Sequence, residues 1–83
     1  MDVRSPEEFK SGHFEGAINI PLESIRGKTE FLRRQGKPII LVCRSGARSS
    51  MAAGMLKNAG LEVYNGGGWT GFSARIKKKR DAA

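Results

Sequence analysis

The single cysteine of the chain, Cys43, lies in a short segment of basic and small residues. This segment, residues 43–49, reads Cys-Arg-Ser-Gly-Ala-Arg-Ser. A thiol beside amides and positive charges loses its proton readily and becomes a nucleophile, and arginine binds anions through a planar fork of N–H groups. Cys43, Arg44 and Arg48 therefore indicate nucleophilic chemistry on a negatively charged substrate. The structural alternative is an unreactive buried cysteine beside two solvated arginines.

The segments on either side of this loop are expected to shape it into a cradle for an anion. Before it, residues 38–42 form an apolar, β-branched run typical of a parallel strand buried on both faces. After it, a helix is predicted to begin near Ser49 and to end with Gly60 as its C′ residue; its apolar stripe comprises Ala52, Met55, Leu56 and Ala59. The N–H groups of the loop and first helical turn, together with the helix dipole, would then favour the thiolate of Cys43.

Four segments of the chain, in order and spacing, resemble the motifs of the rhodanese homology domain, the family of thiosulfate and persulfide sulfurtransferases. They are residues 2–9 (DVRSPEEF), 12–21 (GHFEGAINIP), 43–49 (CRSGARS) and 64–69 (YNGGGW). The resemblance implies an α/β, three-layer fold with a small central parallel sheet flanked by helices. The family normally has a helix and most of a strand upstream of Asp2, so the N-terminal strand is expected to be truncated.

The remaining elements can be predicted from local signals. Ser5, followed by a proline and by an acidic residue at N3, Glu8, predicts a capping box and a short helix that ends at Gly12. Residues 17–20 and 61–65 predict strands. Between residues 22 and 35 we expect a loop followed by a helix over about residues 28–34.

Several residues near the predicted sheet edge have both a functional and a structural interpretation. Asp2 and Arg4 lie where ligands bind in open α/β sheets, but a structural ion pair is the favoured interpretation. His13 is expected mainly to hold its loop in place. Glycines 66–68 would let the backbone pass close to the cysteine loop without Cβ clashes. For Trp69, a place in the core and a place in the pocket wall are equally open.

Length and composition indicate one small domain with a basic tail. Of 83 residues, 39% are hydrophobic and 28% charged, which is ordinary for a globular protein. We expect a rhodanese-like domain over residues 1–74 and a tail over residues 75–83 that is a frayed helix end or disordered. The tail carries much of the net charge of +7, but no aromatic residue is interleaved with it, so nucleic-acid binding is not expected.

The sequence also bears on compartment and cofactors. No segment has the length and apolar character of a membrane span, and no secretory signal is recognisable. The one cysteine excludes an intramolecular disulfide and any multi-cysteine metal site. We expect a cytoplasmic location, where a free thiol survives best, and no metal or organic cofactor.

The resemblance implies a sulfurtransferase that works through a Cys43 persulfide. The donor would be thiosulfate or another small sulfur-containing anion, and the acceptor would be cyanide, a small-molecule thiol or a protein thiol. Cys43 and Arg48 are the predicted catalytic residues. The predicted substrate-binding residues are Arg44, Ser45, Gly46, Ala47, Ser49 and Trp69.

Two other functions share parts of this pattern. A cysteine phosphatase or arsenate reductase uses a similar cradle, but the tyrosine-phosphatase loop has one residue more between its cysteine and arginine, so the tighter loop of residues 43–48 disfavours a phosphate group. A catalytically silent scaffold of the same fold usually lacks the cysteine, whereas this chain keeps both Cys43 and Arg48.

Overall fold

The computed structural model describes residues 1–82 as a mixed α/β fold. Two parallel strands form its sheet, and four α-helices and one 3₁₀ helix surround them. The elements in chain order are α1 (Pro6–Ser11), a 3₁₀ helix (Leu22–Lys28), α2 (Thr29–Gln35), β1 (Ile39–Cys43), α3 (Ala47–Asn58), β2 (Val63–Gly68) and α4 (Trp69–Ala82).

The sheet pairs β1 with β2 in parallel, from Ile39 opposite Val63 to Cys43 opposite Gly68. Asp2 extends this sheet on the other side of β1 through single bridges to Val42 and Asn19. The two segments that were predicted as strands at the N-terminus and at residues 17–20 are therefore isolated bridges. Their backbones pair at one residue each, so no longer ladder forms.

The two faces of β1 are covered by different helices, which gives the predicted three layers. On one face, Leu41 and Cys43 belong to the buried core together with Ala52 and Leu56 of α3. The alternate residues of β1 point to the opposite face, where Phe72 of α4 lies beside Gly66. The prediction of a small parallel sheet flanked by helices is confirmed.

Several predicted boundaries differ from the observed ones. Helix α3 begins at Ala47 rather than near Ser49, because Gly46 adopts a φ of 103° and forms the N-cap. It ends as predicted, with Gly60 at a φ of 85°. Residues 22–28 form a 3₁₀ helix where a loop was expected.

The C-terminal part is more regular than its sequence indicated. Strand β2 starts later than predicted and continues through the glycines to Gly68. Helix α4 then runs to Ala82, so the basic run over residues 75–82 is helical and not a disordered tail; Ala83, the last residue of that predicted tail, lies outside the described residues. Lysine and arginine are good helix formers, which explains a helix without a clear apolar stripe. The division between domain and tail stays a prediction.

Candidate functional site

The thiol of Cys43 lies beneath the loop that joins β1 to α3. Its side chain is almost fully enclosed, with 1% exposed. The backbone N–H of Gly46 donates a hydrogen bond to Sγ at 2.8 Å, and the hydroxyl of Ser49 lies 3.5 Å from the same atom. The left-handed backbone at Gly46 turns the chain from strand to helix and directs these donors at the sulfur. The predicted cradle is thus formed.

The thiol pKa depends on these donors. Burial raises the pKa of Cys43, but hydrogen bonds from the Ser49 hydroxyl and from the amides of Ser49, Gly46 and Ser45 outweigh burial and lower it below the ordinary value of 9.0. The sequence predicted that two guanidinium groups would contribute to this effect. In the structure, hydrogen bonds to the charged form of the sulfur are the cause.

Ser49 and Asn65 form a polar pair behind the sulfur. The buried Ser49 hydroxyl lies 2.6 Å from Oδ1 of Asn65 and 3.1 Å from the carbonyl oxygen of Gly46, in addition to its contact with Cys43. A hydroxyl has one proton, so these three acceptors compete for it. Oδ1 of Asn65 also accepts the N–H of Gly67 within β2 at 2.9 Å. Nδ2 of Asn65 donates to the carbonyl oxygen of Gly46 at 3.4 Å, which holds β2 to the loop.

The guanidinium of Arg48 forms a two-pronged ion pair with Glu8 of α1. Nη1 and Nη2 lie 2.7 and 2.9 Å from the two carboxylate oxygens. This pair raises the pKa of Arg48, and together with hydrogen bonds from Ser5 it lowers the pKa of Glu8 from 4.5 to about 2. The fork of donors that the sequence analysis assigned to a substrate oxyanion is thus occupied by a carboxylate. The catalytic role of Arg48 stays a prediction.

Glu8 also fulfils its predicted part in the helix cap. Its Oε1 accepts hydrogen bonds from the backbone N–H of Ser5 at 3.2 Å and from the Ser5 hydroxyl at 3.1 Å. In return, the hydroxyl of Ser5 caps the N–H of Glu8. One carboxylate therefore holds α1 and Arg48 together.

The other predicted site residues lie around the loop. Arg44, Ser45 and Ala47 are exposed on its outer side. The carbonyl of Arg44 packs so closely on Gly68 that a Cβ at that glycine would lie 2.9 Å from the oxygen. This bears out the expectation that the glycine run allows close passage. The predicted substrate contacts of these loop residues stay predictions.

Trp69 supports a buried ion pair. The guanidinium carbon of Arg4 lies 5.1 Å from the centre of the Trp69 ring, an arrangement that favours the cation. Arg4 in turn binds the carboxylate of Asp2 at 2.7 Å, and both residues are buried. The favoured interpretation of Asp2 and Arg4 as a structural ion pair is confirmed. His13, as expected, holds its loop in place: its ring stacks on Phe9 of α1 and bonds the Phe9 carbonyl.

Two residues of this site, Glu8 and Asn65, were not predicted from the sequence. Glu8 was identified only as a helix cap, because its partner Arg48 lies 40 positions away. Asn65 was read only as the end of a strand, although an asparagine directly before a glycine run is a common turn signal. Among residues 1–82, no group of three or more metal-binding side chains is found. The same residues form no helix long and apolar enough to cross a membrane.

Comparison with known proteins identifies the family. The family model described as Rhodanese-like domain matches residues 1–75. The uncharacterized protein YqhL of Bacillus subtilis is 42% identical over 82 residues, which cover 96% of this chain and 64% of that protein. A putative mitochondrial thiosulfate sulfurtransferase of Schizosaccharomyces pombe is 34% identical over 95% of this chain and 66% of its own length. The chain thus spans less than two thirds of these relatives.

Solved structures agree with this assignment. A rhodanese-related protein from Thermoplasma volcanium matches with a TM-score of 0.77 and 32% identity, over 92% of this chain and 75% of that one. The chain belongs to the family of rhodanese-like domains.

Proposed function

We propose that this chain is a sulfurtransferase that carries a sulfane sulfur on Cys43. The observation that carries the proposal is the sulfur atom at the end of β1, with the N–H of Gly46 at 2.8 Å and a lowered thiol pKa. A relative at 34% identity bears the name of a putative thiosulfate sulfurtransferase, which supports the same activity.

The first half-reaction is a displacement at the sulfane sulfur. The Cys43 thiolate attacks the outer sulfur of thiosulfate, a new S–S bond forms, and the old S–S bond breaks. Sulfite leaves with the bonding electron pair, and the negative charge moves to the outer sulfur of the new persulfide. Donors aimed at this position, such as the loop N–H groups, stabilise that charge.

The second half-reaction restores the thiolate. Cyanide, a small thiolate or a protein thiolate attacks the outer sulfur of the Cys43 persulfide, and the S–S bond breaks with its electrons on Cys43. Thiocyanate or a new persulfide leaves, so ping-pong kinetics are expected. Because only 1% of Cys43 is exposed, both substrates must present a slender sulfur or carbon atom to the loop. The chain needs no cofactor for either step.

The mass of the intact protein tests this proposal. Incubation with thiosulfate should add one sulfur atom, and cyanide should then remove it as thiocyanate. Cys43→Ser is the control, because serine is nearly isosteric and its oxygen can still accept the N–H of Gly46; this variant should stay folded and gain no sulfur.

Other outcomes would identify a different function. A folded wild-type protein that gains no sulfur from thiosulfate or from a small persulfide would refute the sulfurtransferase proposal. Hydrolysis of an aryl phosphate under those conditions would instead indicate a phosphatase. Neither activity would indicate a scaffold.

A further inference from the structure

The ion pair between Glu8 and Arg48 neutralises the side chain that could best bind a substrate anion near Cys43. Both terminal nitrogens of Arg48 are engaged, at 2.7 and 2.9 Å. The pair is only partly exposed, with 35% of the Arg48 side chain and 31% of the Glu8 side chain accessible. Bidentate pairs of this kind are stronger and more specific than single contacts.

Glu8 is held in this position from its own helix as well. The backbone N–H and the hydroxyl of Ser5 both donate to its Oε1. Hydrogen bonds from Arg48 and Ser5 lower its pKa to about 2, so the carboxylate stays ionised across the neutral range. Arg48 therefore faces a fixed negative charge at neutral pH.

The Glu8 carboxylate and the Cys43 thiolate both interact with the charge of Arg48. Arg48 is the second residue of α3, whose first turn lies over Cys43. The charge of the Cys43 thiolate contributes to raising the pKa of Arg48. Anions that approach the sulfur thus meet a guanidinium whose charge Glu8 has largely cancelled.

We propose that Glu8 is a specificity-determining residue that disfavours the dianion thiosulfate and directs the site towards persulfide donors of lower charge. This inference rests on the proposed sulfur transfer and names its donor class. In the persulfide reaction, the Cys43 thiolate attacks the terminal sulfur of R–S–SH. The S–S bond breaks, R–S⁻ leaves with the electron pair, and the terminal sulfur keeps its proton.

The charge of the donor decides how strongly Glu8 acts on it. Coulomb energy is proportional to the product of the charges, so a dianion feels twice the repulsion of a monoanion at the same place. If loss of the Glu8 charge raises kcat/KM for thiosulfate about tenfold, kcat/KM for a donor with at most one negative charge should rise by no more than about threefold, which is the square root of that factor. The ratio between the two donors is therefore diagnostic.

The test compares Glu8→Gln with Glu7→Gln. Glutamine at N3 can still form the capping box, and Glu7 is an exposed acidic residue of the same first turn, so both variants remove one charge from one helix end. Thiosulfate and the persulfide of 2-mercaptoethanol serve as donors, and the donor ratio is kcat/KM for thiosulfate divided by kcat/KM for the persulfide. Glu8→Gln should raise kcat/KM for thiosulfate about tenfold and so raise the donor ratio. Glu7→Gln should leave the ratio near that of the wild type.

Replacement of Arg48, the positive partner of the ion pair, tests the same inference. Arg48→Gln leaves the Glu8 carboxylate without its partner, so kcat/KM should fall more for thiosulfate than for the persulfide. In the Arg48→Gln background, a further Glu8→Gln change should restore part of the kcat/KM for thiosulfate, because it removes the unpaired negative charge. These variants also keep the inference testable if Glu8→Gln alone folds poorly.

The outcomes separate this inference from the proposed function. Absence of sulfur uptake from either donor by the wild type refutes the sulfurtransferase itself. Sulfur transfer by the wild type with the same donor ratio in Glu8→Gln and Glu7→Gln overturns only the role of Glu8. A ratio that shifts towards the persulfide in Glu8→Gln would overturn it as well.

Discussion

Replacement of Gly68 by alanine should disturb the cysteine loop through a single steric contact. Gly68 pairs with Cys43 in the sheet, and a Cβ there would lie 2.9 Å from the carbonyl oxygen of Arg44 and 3.8 Å from Cα of Ser45. Both neighbours are backbone atoms, so no side-chain rotation relieves the contact. The matched control is Gly71→Ala in α4, where the nearest atom is the flexible end of Arg75 at 3.7 Å.

The distances give the size of the effect. The contact must open by about 0.5 Å, from 2.9 Å to the 3.4 Å at which ordinary van der Waals contacts begin. Overpacking of this kind costs about 1–3 kcal/mol in the free energy of unfolding. A misplacement of about 1 Å in a catalytic group can lower a rate about 100-fold, so half of that shift should slow sulfur uptake about tenfold. Gly71→Ala should stabilise its helix by about 1 kcal/mol.

Two measurements check this reasoning. Denaturant unfolding gives the change in stability, and the pH dependence of Cys43 alkylation gives the thiol pKa without any assumption about sulfur transfer. Gly68→Ala should raise that pKa, because the N–H of Gly46 moves away from Sγ. If Gly68→Ala and Gly71→Ala have equal thiol pKa values and equal stability, the close approach of β2 to the loop does not control the site.

Three further predictions concern the hydroxyl, the ion pair and the C-terminus. Ser49→Ala should raise the pKa of Cys43, since it removes a hydrogen bond that lowers it; an alkylation profile identical to that of the wild type would contradict this. Because hydrogen bonds from Arg48 and Ser5 lower the pKa of Glu8 from 4.5 to about 2, they stabilise the fold above pH 4.5, and this effect is lost as the pH falls towards 2. Unfolding curves of Arg48→Gln should lack the share of this pH dependence that comes from Arg48, and an unchanged pH profile would show that other groups cause it. Deletion of residues 77–83 should leave sulfur transfer within a few-fold, and a loss of orders of magnitude in a folded protein would place them in the site.

The features that could be predicted from the sequence are those with local causes. The capping box of Ser5 and Glu8 needs only residues three positions apart, and Gly60 ends α3 because glycine tolerates a φ of 85°. The strand, loop and helix around Cys43 follow equally from neighbouring residues. These signals were enough to predict the cradle and its family.

The features that could not be predicted arise from contacts between distant segments. Arg48 had two possible partners in the sequence analysis, a substrate or solvent, and only the packing of α1 against the loop brings Glu8 to it. The bond between Ser49 and Asn65 likewise depends on how β2 passes the loop. The extent of helix α4 was left open between a frayed helix end and a disordered tail for another reason, since a basic run without apolar periodicity has high helix propensity but no pattern to reveal it.

The three acceptors around the Ser49 hydroxyl let its proton change partner when the charge on the sulfur changes. When Cys43 is a neutral thiol, the proton can point at Asn65, 2.6 Å away, and when the sulfur is an anion it can turn towards Sγ. Only a hydrogen atom has to rotate, so the Ser49 hydroxyl can change its partner while its oxygen stays in place. Rotation of this one O–H bond is thus a way to adjust the solvation of Sγ that needs no movement of the backbone, and in the proposed sulfur transfer it is available in each half-reaction.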